Sequence, residues 1–165
     1  MSRRNLIRFD WAIKRLLRNK ANFQVLEGFL SELLKKEIKI HRLLESESNQ
    51  QDEQDKFNRV DILVEDETGS QMIIEVQNQT EYDYFHRMAY GTSKLIAENL
   101  NLGERYENIK KVYSVNIVYF DLGQGSDYVY YGRNEFVGIH RSDKLQLSEK
   151  QKSLYAAEQA WEIFP

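Results

Sequence analysis

The chain has 165 residues, 41% hydrophobic and 30% charged, which fits a soluble globular domain with a core of its own and excludes a disordered segment. It has no cysteine and one proline, the last residue, so disulfides and thiolate metal sites are excluded and long helices and strands can run uninterrupted. The net charge of −3 hides an asymmetry, with 11 Lys and Arg against 4 Asp and Glu in residues 1–42 and 12 against 22 in the remainder.

A basic arm on an acidic body suits contact with a polyanion while the body holds cations. Solvated helix faces produce the same pattern, and the charge balance alone does not choose between them. No apolar run approaches the ~20 residues of a membrane span. The opening "MSRRNLIRFDWAIKRLL" lacks the apolar stretch of a signal peptide, so a reducing, cytoplasmic location is expected and no membrane partner.

In chain order, "FDWAIKRLLRN" places Phe9, Ala12, Ile13, Leu16 and Leu17 at helical spacing. Asn22 then reads as the cap of a second helix striped by Phe23, Leu26, Leu30, Leu33 and Leu34. "EIKIHRLL" alternates as a short strand, and the acidic, polar residues 45–56 form a loop. "FNRVDILVE" and "QMIIEVQNQ" are the clearest strands, joined through "DETGS" with the glycine a tight turn wants. A long helix follows, with Phe85, Met88, Ala89, Thr92, Leu95 and Ile96 on its expected buried face and Gly103 as its stop. "KVYSVNIVYFD" is a third strong strand, and "YVYYGRNEFVGIH" reads as a hairpin about Gly132–Asn134. The periodicity of "SEKQKSLYAAEQAWEIF" predicts a closing helix from Ser148. The order α α β β β α β β β α implies an α/β fold, with a mixed sheet and helices packed on it.

Within the two clearest strands lie two acids. Val60, Ile62 and Val64 share one face of the first strand, so Asp61 faces the other. In the second, Ile73, Glu75 and Gln77 share the face opposite Met72, Ile74 and Val76. A hairpin centred near residues 67–70 sets Asp61 roughly opposite Glu75. Two carboxylates in a partly buried sheet repel and are costly to desolvate, and a divalent cation offsets both costs. Hard oxygen ligands suit Mg²⁺, which points to metal-assisted phosphodiester hydrolysis. Ion pairing of Asp61 with Arg59 or Arg87, and an exposed Glu75, account for the same pattern without a metal.

Asp61, a gap of 13 residues, then Glu75-Val76-Gln77 resembles the PD-(D/E)XK nuclease signature in the variant with glutamine in place of lysine. The blocks "FDWAIKRLL", "LEGFLSELL", "RVDILVEDETGSQMIIEVQNQ", "FHRMAYGTSKLI" and "YENIKKVYSVNIVYFD" are similar to the type described as recombination-promoting nuclease or putative transposase. The resemblance implies a restriction-endonuclease-like fold, with a mixed central β-sheet flanked by helices, in a single nuclease-like domain over residues 1–165. It implies Mg²⁺-dependent DNA cleavage, with Mn²⁺ as a substitute. Asp61, Glu75 and the main-chain carbonyl of Val76 would be the metal ligands, and Asp61, Glu75 and Gln77 the catalytic set. Asp10, Lys14, Arg87, Tyr90 and Lys94 fall in recurrent blocks and become supporting or DNA-contacting candidates. The resembled proteins continue with a further helical region, so this chain is expected to be an N-terminal fragment.

A catalytically inactive DNA-binding or protein-interaction module that keeps the fold is the alternative, and a homodimer is compatible with the sequence. Surface pairing of Arg87 with Glu81 or Asp83, and of Lys94 with Glu98, is the plainer account of the helix cations. Arg3, Arg4, Arg8, Lys14, Arg15, Arg18 and Lys20 are the candidates for sequence-independent attraction to DNA. His41, His86 and His140 form no metal spacing, no G-x-S-x-G is present, and "LGQGS" reads as a turn rather than a phosphate loop. The ten tyrosines fit strands at least as well as a base-stacking surface.

Overall fold

The computed structural model describes residues 23–44, 61–132, 135–148 and 157–163. The first helix expected at residues 9–17, the Asn22 cap and the loop at 45–56 lie outside the described residues. Helix α1 (Gln24–Leu34) buries Leu26 and Leu30, with Phe23, Leu33 and Leu34 half-buried against the same cluster. It ends where Lys35 turns left-handed at φ 52°. The Ser31 hydroxyl then accepts the Ile38 amide at 2.8 Å, and Glu27 accepts the Ile40 amide at 2.9 Å, which ties the helix to strand β1 (Ile40–Leu44).

Strands β2 (Ile62–Asp66) and β3 (Gln71–Gln77) form the expected antiparallel hairpin, with Ile62 opposite Ile74 and Val64 opposite Met72. Its turn needs Gly69, whose φ of +82° is disfavoured for other residues. Asp66 Oδ1 accepts from the Thr68 and Ser70 amides at 2.9 Å each, and from the Thr68 hydroxyl, so the turn's polar groups are met locally. Helix α2 (Tyr84–Glu98) then crosses back to strand β4 (Val112–Val118), which lies parallel to β3. All of β4 is buried. Strands β5 (Val129–Gly132) and β6 (Ala157–Ile163) complete a six-stranded mixed sheet in the order β1-β2-β3-β4-β6-β5.

The two helices cover opposite faces of the sheet. Leu26 and Leu30 of α1 join Ile62, Val64, Met72, Ile74, Val76, Val115 and Ile117 in one core cluster. On the other face, Tyr84 and Met88 of α2 pack with Val118, and Leu95 packs with Ile73 and Val112. This is the mixed sheet flanked by helices that the restriction-endonuclease-like expectation describes.

Four local expectations are corrected. The buried face of α2 is Tyr84, Met88, Gly91, Thr92 and Leu95, while Phe85 and Ala89 are exposed. Met88, Thr92 and Leu95 are common to both sets, and the buried face is turned toward Tyr84, whose hydroxyl bonds Asn116 in the sheet. Residues 157–163, expected in a helix, are strand β6, parallel to β4 and antiparallel to β5. A fully buried central strand such as β4 needs a backbone partner on each side, and that requirement overrides the local helical period. Strand β5 correspondingly pairs with β6, so the expected hairpin about Gly132–Asn134 does not pair its two arms as strands; residues 137 and 144 meet in an isolated antiparallel bridge. Gly103, at φ +90°, sits in the loop beyond α2, which ends earlier at Glu98.

Candidate active site

Asp61 immediately precedes β2. Because Ile62 faces Ile74, one further step of the antiparallel register sets Asp61 across from Glu75 on the same face. The alternate residues Ile62, Ile74 and Val76 belong to the α1-side core, so Asp61 and Glu75 face α2. Glu75 is not exposed on an open sheet: it is buried at 7% exposure, and Asp61 is half-buried. Asp61 Oδ2 accepts the main-chain N–H of Val76 at 2.8 Å, which locks the start of β2 to the end of β3. Gln77 directs its carbonyl to the Tyr119 amide beside β4. Backbone direction alternates along a strand, so the Val76 carbonyl points to the opposite edge, the one occupied by Asp61.

Helix α2 and the loop before it supply the rest. Arg87 Nη2 lies 3.2 Å from Glu75 Oε2, and its Nη1 lies 3.0 and 3.2 Å from the two oxygens of Glu81. Gln77 Nε2 donates to Glu81 Oε1 at 2.6 Å and to the Gln79 carbonyl at 3.1 Å. Beneath them the Tyr84 hydroxyl donates to Asn116 Oδ1 at 3.0 Å, and Asn116 Nδ2 donates to Ser114 Oγ at 2.9 Å. Asn116 is the register partner of Glu75 on the parallel neighbour β4. Glu75, Tyr84, Arg87, Ser114 and Asn116 line one small cleft between α2 and the sheet. The cleft sits toward the carboxyl ends of parallel strands, the usual place for a site in an open α/β sheet.

The electrostatics agree with this geometry. The Tyr84 hydroxyl is pushed up from its ordinary value, first by burial and then by the charge of Glu75, with Glu81 and Asp61 adding and Arg87 opposing. The charges of both Glu75 and Asp61 are felt at this one buried hydroxyl. For Arg87, burial works against the charged form, but Glu75 and Glu81 outweigh it and hold the guanidinium above its ordinary value.

A family model described as PD-(D/E)XK nuclease family transposase matches residues 7–162. The chain belongs to this family. No curated protein and no solved structure matches it. Family membership supports a function related to nuclease activity and transposition, and nucleases of the family typically use divalent metals. The donor set fits such an ion: two carboxylates from adjacent strands and a main-chain carbonyl on the same edge are hard oxygen ligands of the kind Mg²⁺ takes.

The structure brings Asp61, Glu75, Val76, Gln77 and Arg87 together. It does not bring Tyr90 or Lys94 into the cleft lining: Tyr90 is exposed on α2, and Lys94 Nζ lies 3.9 Å from Glu98. Asp10 and Lys14 lie outside the described residues, as does the basic cluster of residues 3–20. His41, His86 and His140 are all exposed. Sequence reasoning missed Tyr84, Ser114 and Asn116; the Arg87–Glu81 pair, one of the two readings offered for that arginine, is present, and Glu81 also accepts from Gln77. A signal for two of them was present, since Ser114 and Asn116 are polar residues at alternate positions of an otherwise apolar strand.

Proposed function

We propose that the chain is a metal-dependent DNA endonuclease associated with transposition or recombination. The observation that carries this reading is the placement of Asp61 opposite Glu75 on one face of the hairpin, with Glu75 lining the cleft beneath α2, in a member of a nuclease family. Asp61, Glu75 and the Val76 carbonyl would hold Mg²⁺, or Mn²⁺ in its place. A bound divalent ion supplies charge neutralisation at the phosphate and a water acidic enough to attack it near neutral pH.

The chain's own groups do the remaining work. Gln77 orients the attacking water by accepting a hydrogen bond at Oε1, since its Nε2 is held by Glu81 and the Gln79 carbonyl, but as a neutral amide it offsets no charge. Tyr84 and Asn116 form a hydrogen-bonded floor to the cleft that Glu75 lines. Tyr90 and Lys94, further along α2, and Asp10 and Lys14 near the N-terminus are supporting residues, and the basic N-terminal cluster supplies salt-sensitive attraction to the DNA backbone.

Plasmid nicking in Mg²⁺, wild type beside Glu75→Ala, tests the reading. Nicking by the wild type that disappears in the variant is the expected result, and nicking that survives at the wild-type rate refutes it. A second reading, a DNA-binding module that keeps the fold without cleaving, draws on the neutral Gln77 and on Arg87 already resting against Glu75. Calorimetric titration with Mg²⁺ or Mn²⁺ separates the two, because a cation bound through Glu75 belongs to the first alone.

A further inference from the structure

The signature position that carries lysine in most nucleases of this type carries Gln77 here. A lysine there brings a positive charge to the reacting phosphate, and an amide does not. The Gln77 amide is moreover committed to Glu81 at 2.6 Å and to the Gln79 carbonyl. Glu81 is the same residue that holds Arg87 Nη1 at 3.0 Å. Through this one carboxylate, an amide from β3 and a guanidinium from α2 converge where a single lysine would otherwise stand.

Arg87 has two attachments. Its Nη1 edge is tethered to Glu81, outside the metal-ligand set, while its Nη2 edge rests 3.2 Å from Glu75, inside it. The side chain is one-third exposed (33%), at the cleft lined by Glu75, Tyr84 and Asn116. A Glu75 oxygen turned toward a divalent ion no longer favours a guanidinium beside it, because the two cations repel. From these contacts we propose that Arg87 is an exchangeable cation. It neutralises Glu75 while no metal is held, and it turns its Nη2 edge to a non-bridging phosphate oxygen of DNA once Glu75 ligates a divalent ion. The Glu81 tether keeps it within reach throughout. The planar fork of a guanidinium suits phosphate oxygens, so the arginine on α2 takes over the charge that Gln77 lacks. This inference rests on the endonuclease reading for its substrate, though not for the exchange at Glu75.

Two readouts test it on the full chain: Mn²⁺ affinity by calorimetry without DNA, and single-turnover cleavage at saturating Mn²⁺. In Arg87→Met, Mn²⁺ affinity is expected to rise by roughly 3–10-fold, as a cation competing for Glu75 is removed. Cleavage is expected to fall by about 10²-fold, the usual effect of losing one donor to developing charge. A merely structural ion pair moves both readouts downward together. Unchanged or weaker Mn²⁺ binding overturns the exchange, and undiminished cleavage overturns the phosphate contact. If Arg87→Met does not fold, Arg87→Lys decides: it keeps the charge and loses the fork, so Mn²⁺ affinity stays within about twofold while cleavage falls about tenfold, and full cleavage refutes the contact. If the wild type binds Mn²⁺ through Glu75 and cuts nothing, the endonuclease reading fails while Arg87 is still decided. Weaker binding of a short duplex by Arg87→Met in Mn²⁺ then supports the contact, and equal binding overturns it.

Discussion

Strand β2 carries an acid near each end of the α2-side face, and the two ends are solved differently. At the hairpin end, Glu65 is buried at 7% exposure and is met by two cations. Lys110 Nζ lies 2.7 Å from Oε2, and Arg42 reaches both oxygens at 3.2 Å. The Lys110 hydrogen bond, helped by Arg42 and opposed by burial, lowers the Glu65 carboxyl to about 2. At the other end, Asp61 and Glu75 stand side by side, and Arg87, which reaches Glu75, is shared with Glu81. The first arrangement is a finished ion pair that contributes stability. The second concentrates negative potential around Tyr84 and leaves oxygen ligands grouped on one edge, which is what a cation site requires. Burial of an acid on a strand is therefore not diagnostic of a site; the company it keeps decides.

Substitutions at the two ends should separate activity from stability. The largest effect is expected from Asp61→Ala: loss of a metal ligand should cost at least about 10³-fold in cleavage, several kcal/mol of transition-state stabilisation. Loss of the Asp61 bond to the Val76 amide should also lower stability by about 1 kcal/mol, and a much larger drop in melting temperature with cleavage retained would collapse the distinction between the two ends. Gln77→Ala, which removes water orientation without removing charge, should cost about 10- to 100-fold in single-turnover rate, less than Asp61→Ala.

Glu65→Gln should do the reverse, leaving cleavage near wild type and lowering stability by about 1–2 kcal/mol in urea unfolding, a loss moderated because Lys110 and Arg42 are partly exposed. That difference should depend on pH in a stated direction. Glu65 titrates lower in the folded chain than in the unfolded one, so its contribution is complete above the ordinary carboxyl value of 4.5 and drains away as pH falls toward about 2. Unfolding curves of wild type and Glu65→Gln should converge over that window, and a gap that stays constant would show that the carboxylate charge is not what stabilises. The smallest effect is expected from Gly69→Ala, about 1 kcal/mol of strain at positive φ in the hairpin turn, read as a shift in the urea midpoint with cleavage unchanged.

The hairpin of β2 and β3 was legible because every determinant is local. Alternation sets the faces, "DETGS" sets the turn, and together they set the register that pairs Asp61 with Glu75. The family motif fell on the same residues, so the core of the candidate site was readable before any coordinates. Strand β6 was not legible, since "AEQAWEI" carries no local preference strong enough to oppose a helical reading. Its conformation follows from pairing with β4 and β5, partners far away in the chain.

The amino-acid order by itself determined which residues alternate, where the chain turns and which two acids meet across the hairpin, since all of these follow from neighbours a few bonds apart. Tertiary structure alone decided that α2 presents Tyr84 rather than Phe85 to the sheet, that Asn116 receives its hydroxyl, and that Glu81 gathers Gln77 and Arg87 beside Glu75. These depend on how a helix is rotated over a sheet and on which residues meet across the layers, a constraint that sequence spacing does not contain.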